Sequence, residues 1–141
     1  MDMSRGAFVL GIAILGLGCG VGEGIGPGGV STVALLSPIE AEVVCGTPLS
    51  VVVSVENFEL TDRYEADADA APDGTGHAHA FLNGQYVFQG SSEAFNLEDP
   101  VVDGEYQFKV ELANANHSIV DPYAGAQIYI TVDSTVCGAL R

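Results

Sequence analysis

Apolar and polar residues alternate with a period of two along much of this chain. Tyr106-Gln107-Phe108-Lys109-Val110-Glu111-Leu112 keeps the alternation over seven positions, and Gln127-Ile128-Tyr129-Ile130-Thr131-Val132 repeats it further on. Successive side chains of a strand leave on opposite faces, so the pattern predicts strands buried on one side. Leu49-Ser50-Val51-Val52-Val53-Ser54-Val55-Glu56 is rich in β-branched residues, which favour the same state. Ala78 to Leu82 and Tyr86 to Phe88 flank Asn83-Gly84, a pair suited to the left-handed backbone of a type I′ hairpin turn. Thr32 to Leu36, ahead of Ser37-Pro38, predicts a first edge strand. Beyond the N-terminal segment nothing sustains the apolar stripe of a helix. About seven short strands with frequent turns predict an all-β fold, an immunoglobulin-like β-sandwich. The chain has no tryptophan, so the core marker of antibody domains is missing and only the architecture is implied.

The N-terminal segment breaks the pattern. Arg5 precedes an apolar run from Ala7 to Leu17, followed by Gly18-Cys19-Gly20. A basic residue, a short apolar run and a boundary of small residues predict a secretory signal. The run is shorter than the roughly 20 apolar residues needed to span a bilayer as a helix. Leu15-Gly16-Leu17-Gly18-Cys19 resembles the lipobox of bacterial lipoproteins, with Gly16 where that family prefers leucine. The resemblance implies that Cys19 is lipidated and becomes the mature N-terminus; the alternative is an ordinary secretory signal with an incidental cysteine. Ten residues from Gly20 to Gly29 then alternate glycine with little else, a composition that cannot support a core. The expected organisation is a signal peptide over 1–18, a glycine-rich tether over 19–31 and one β domain over 32–141. Gly20 lacks the acidic character associated with inner-membrane retention, which leans the expectation for this envelope protein toward the outer membrane.

With Cys19 assigned to lipid, Cys45 and Cys137 remain as an even pair in an exported protein. Neither has a Cys or His at ligand spacing, so a Cys45–Cys137 disulfide is expected over free thiols or metal ligands.

Charge narrows the partners. The formal net charge is −15, which disfavours nucleic acid, whose phosphates require a basic face. A saline habitat or simple solubility accounts equally well for most of these carboxylates. Six of the 19 acidic residues fall in Glu59 to Gly76, an acidic loop that interrupts the strands. Asp67, Asp69 and Asp73 within it lack the central glycine and distal glutamate of an EF-hand loop, so no dedicated calcium site is expected there. A solvated loop that concentrates cations is the better reading.

All three histidines fall in two polar motifs, Gly74-Thr75-Gly76-His77-Ala78-His79 and Asn114-Ala115-Asn116-His117. Residues i and i+2 of a strand share a face, so His77 and His79 can reach one point. His117 follows the strand ending at Leu112 and would join them if the two strands are neighbours. Three imidazoles with an open position suit copper or zinc. The glycines at 74 and 76 would permit a tight turn at the sandwich rim. Equally, one of the paired histidines could cap a strand end while the other bonds a backbone carbonyl in a buried polar network, with His117 in an ordinary Asn116-His117-Ser118 turn.

Gly74-Thr75-Gly76-His77-Ala78-His79-Ala80-Phe81-Leu82-Asn83-Gly84 resembles the GxGHxH element of a family of small exported bacterial domains, most of unknown function. That family has a second element, here Gly104 to Leu112, then Asn114-Ala115-Asn116-His117, then Asp121-Pro122. Leu36-Ser37-Pro38-Ile39-Glu40 and Val55-Glu56-Asn57-Phe58 also match, so the resemblance spans most of Val33 to Asp133. It implies a β-sandwich with the three histidines together, and no established activity. The aromatic or additional histidine often found between the first two is Ala78 here.

The expectation for function is a lipid-anchored, non-enzymatic envelope domain that binds copper or zinc through His77, His79 and His117. Copper is slightly preferred because it heads the divalent affinity series. Both methionines, Met1 and Met3, lie in the signal, which argues against a Cu(I) carrier. The alternatives are a metal-free structural or adhesive surface module, engaging an envelope protein, and a metal-dependent hydrolase or oxidase with Asp73 or Asp121 as acid or base.

Overall fold

The computed structural model describes residues 29–64 and 74–138. The expected signal peptide, Cys19 and most of the tether lie outside the described residues, as do Asp67, Asp69 and Asp73.

Among the described residues nine strands form two sheets. They are β1 (Thr32–Ser37), β2 (Val43–Val44), β3 (Ser50–Glu56), β4 (Glu59–Leu60), β5 (Thr75–Leu82), β6 (Gln85–Gly90), β7 (Ala94–Asn96), β8 (Gly104–Asn114) and β9 (Gly125–Val132). The smaller sheet runs β1-β3-β7 and the larger runs β2-β9-β8-β5-β4, with β6 also paired to β5. The all-β sandwich follows the expectation, and every strand foreseen is present. The additional elements, β2, β4 and β7, are only two or three residues long. β1 lies at the edge of its sheet as expected. The β5–β6 hairpin turns at Asn83 and Gly84, both with positive φ (50° and 79°), as its sequence requires.

The alternation along each strand decides which side faces inward. Val33, Val51 and Val53 of the smaller sheet pack against Ala78, Ala80, Phe108, Val110, Leu112, Ile130 and Val132 of the larger one. Phe108, Val110 and Leu112 are completely buried. The opposite positions of β5 and β8 (His77, His79 and Phe81; Lys109, Glu111 and Ala113) therefore point away from the core, on the outer face of the larger sheet.

Cys45 and Cys137 are joined by a disulfide with Cα atoms 4.8 Å apart. It fastens the chain beyond β2 to the 3-10 turn after β9, next to the parallel β2–β9 pair. At the other end of the domain, Asn57 pins the entering chain. Its side-chain amide donates to the Val30 carbonyl (3.1 Å), and the Asn57 carbonyl accepts from Ser31 Oγ (3.0 Å).

Candidate functional site

The outer face is where the histidines meet. β5 and β8 are antiparallel neighbours, with His77 opposite Ala113 and His79 opposite Glu111. His77 and His79 leave the same side of β5 with parallel rings (9°) and centroids 6.3 Å apart. β8 continues into a turn that brings His117 back over this face, 5.0 Å from His77 and 5.2 Å from His79. The site lies on the sheet face, whereas the sequence pattern suggested the rim.

Local chemistry explains how His117 is aimed. Asn114 N–H donates to the Ser118 carbonyl (2.8 Å) and His117 N–H to the Asn114 carbonyl (2.8 Å), closing the turn. Asn116 Oδ1 accepts from both the backbone N–H and the hydroxyl of Ser118 (3.0 and 2.6 Å). The turn sets His117 in the left-handed region at φ 66°. The two flanking glycines of the motif play different parts. Gly74 has φ +74°, whereas Gly76 lies so near β8 that a Cβ would strike the Ala113 carbonyl oxygen and come within 2.7 Å of the Asn114 carbonyl carbon. Close strand approach is what requires glycine there.

Burial is uneven. His77 is 0% exposed and His79 8% exposed, while His117 is exposed at the mouth. The cover over His77 comes from the chain leaving β4. His77 Nδ1 donates to the Thr61 carbonyl at 2.6 Å, and Tyr64 stands edge-on to His117 at 5.1 Å. A carbonyl only accepts, so Nδ1 carries a proton and Nε2 is the nitrogen left to bind a ligand. The Nε2 atoms of both His77 and His79 are buried with no hydrogen-bond partner. An unpaired buried polar atom costs about 1–3 kcal/mol, so such atoms are rare and call for a reason. Burial first, and then the neighbouring His117 and His77, push the His79 pKa below its ordinary value, with Glu111 opposing them.

Sequence reasoning missed the rest of this face. Glu111 is 7% exposed and its Oε2 is bound by Lys109 Nζ (2.8 Å) and the Tyr123 hydroxyl (3.2 Å). Lys109 Nζ also lies 4.2 Å above the Phe81 ring. Tyr86 meets His79 edge-on at 5.3 Å. The outward Lys109 and Glu111 of an alternating strand were the available signal, but they read as solvated charges until a cover is known to lie over them. Asp121, the other acid considered for catalysis, is exposed on the turn before β9.

The residues fit a metal ion in chemistry and nearly in spacing. Imidazoles bound to one ion at about 2.0–2.1 Å through nitrogen place their centroids about 5 Å apart when the geometry is tetrahedral. The two distances to His117 match, and the His77–His79 pair is wider. Among the described residues no group of three or more His, Cys, Asp or Glu is already drawn together as a ligand set. His77 and His79 must therefore shift to share an ion.

No protein-family model matches this chain, and no curated protein matches it. Among solved structures it is similar to the fibronectin(III)-like modules of CbhA from Clostridium thermocellum, with a TM-score of 0.47 and 12% identity over 75% of this chain. It is also similar to an engineered protein, with a TM-score of 0.41 and 12% identity over 74% of this chain. The chain spans 48% of the length of the first and 20% of the second.

Proposed function

We propose that this protein is a non-enzymatic metal-binding domain of the bacterial cell envelope, tethered by lipid at Cys19, that holds copper or zinc through His77, His79 and His117. One observation carries the reading: two buried imidazole nitrogens lack partners beneath a third, accessible imidazole. Bound metal would satisfy both. The Thr61 carbonyl supports the same reading, because metal-binding histidines usually donate their other N–H to such an acceptor. Copper is preferred because it heads the divalent affinity series.

A second reading is a structural or adhesive sandwich without metal. Its support is the β-sandwich itself, a fold that often serves as a passive module, and the lack of a preassembled ligand set among the described residues. Calorimetric titration of the full-length protein in detergent with Cu(II) and Zn(II) separates the two. Binding of one ion per chain, at least tenfold weaker in His117→Ala (about 1.4 kcal/mol), is the result expected of a three-histidine site. Equal, weak binding in both proteins would leave the adhesive reading standing.

A further inference from the structure

Glu111 is a buried charge on the same face that the three histidines do not explain. Its Cα is the ladder partner of the His79 Cα. Directly opposed residues of an antiparallel pair share a face with Cβ atoms about 4.5–5.5 Å apart, so carboxylate and imidazole are neighbours. Oε2 is held by Lys109 and Tyr123, which leaves Oε1 as the remaining acceptor. Gly125, opposite Glu111 on β9, leaves open the space that the Tyr123 phenol occupies. A Glu–Lys pair brings little stability to a buried face that an apolar pair would fill as well. Its presence beside His79 therefore asks for another use.

The two strand histidines are otherwise unequally supported. His77 is oriented by the Thr61 carbonyl. Among the described residues, His79 packs against the rings of Phe81, Tyr86, His77 and His117, and its buried Nε2 has no hydrogen-bond partner. A histidine ligand held by contacts alone can rotate and change tautomer. A carboxylate accepting its distal N–H fixes both and makes the metal-bound nitrogen more basic.

We propose that Glu111 is the positioning residue for His79, its free oxygen accepting the Nδ1 proton while Nε2 binds the metal. Lys109 and Tyr123 hold the carboxylate for that purpose. This inference rests on the metal-binding reading given above. Glu111 is not itself a ligand; it acts through His79 as the Thr61 carbonyl acts through His77.

The test titrates Cu(II) into the full-length protein, comparing wild type, Glu111→Gln and the double variant Lys109→Met/Glu111→Met. The double variant removes both charges together, so no unpaired buried charge threatens its folding. Thermal unfolding in chelator checks each protein. The double variant should bind one Cu(II) some ten- to a hundredfold more weakly, with a shifted ligand-field absorption band. Glu111→Gln keeps an acceptor without its charge and should fall between. Wild-type affinity in the double variant would overturn the proposal. So would weaker binding with an unchanged band, which is a packing effect. Absence of one-to-one binding by the wild type would instead remove the three-histidine reading on which the proposal stands.

Discussion

Replacing His79 with leucine should make the metal-free protein more stable and the metal-loaded protein comparatively less so. His79 is 8% exposed and its Nε2 has no partner. Deleting that atom recovers about 1–3 kcal/mol of desolvation. Losing the edge-on contact with Tyr86 at 5.3 Å takes back about 0.5–1.5 kcal/mol. The balance is about 1 kcal/mol in favour of the variant, or a rise of about 4 °C in Tm for a domain of this size. Metal reverses the order. Free ion at 100 times Kd stabilises the wild type by about 2.7 kcal/mol, whereas a variant with one ligand removed gains far less. Thermal unfolding at pH 8, in chelator and then in Cu(II), reads both halves. A variant at least 1 kcal/mol less stable than wild type in chelator would show that Nε2 is satisfied in the folded protein, and the reasoning from orphaned nitrogens would fall.

Two further predictions follow from features outside the ligand set. The disulfide closes a loop with a sequence separation of 92, so removing it as Cys45→Ser/Cys137→Ser should lower stability by about 4.6 kcal/mol in the chain-entropy description. Urea denaturation measures this, and a loss under 1 kcal/mol would mean that the reduced chain is already constrained at that corner. The metal-free wild type should also lose stability as pH falls below about 6.5, the ordinary histidine value, because unfolded His79 takes up a proton that folded His79 resists. The contribution is fully present above that pH. Its loss should be smaller in His79→Leu when Tm is followed from pH 8 to 5.5, and identical slopes would refute the assignment.

The long strands were legible because one face of each meets the core. In β8 the inward Phe108, Val110 and Leu112 alternate with Gln107, Lys109 and Glu111, and the register follows directly. The hairpin was legible from Asn83-Gly84, and the disulfide from the parity of the cysteines. β4 was not, since its two residues form a strand only by lying parallel to Thr75 and Gly76, far along the chain. The same non-locality hid the character of the site. β5 reads Thr-Gly-His-Ala-His-Ala-Phe-Leu, and the sequence places His77 and His79 on one face. It does not show that the backbone at Thr61 and the exposed Tyr64 lie across that face and turn an outward position into a buried one. Nor does it mark Glu111 as buried, since its partner Tyr123 comes from the turn before β9.

The covalent link between Cys45 and Cys137 also determines how the molecule responds to force. Drawn apart at its two ends, the chain can lengthen only outside the linked cysteines. The segment before Cys45 contains β1, an edge strand paired with β3 alone, which can peel away one hydrogen bond at a time. Freed to full extension, the 16 residues from Gly29 to Val44 would reach roughly 50–60 Å at about 3.3–3.6 Å per residue. Everything from β3 through β9 lies inside the loop and carries no tension beyond the linked cysteines. The strands bearing His77, His79 and Glu111 would keep their register while the surface strand unzips.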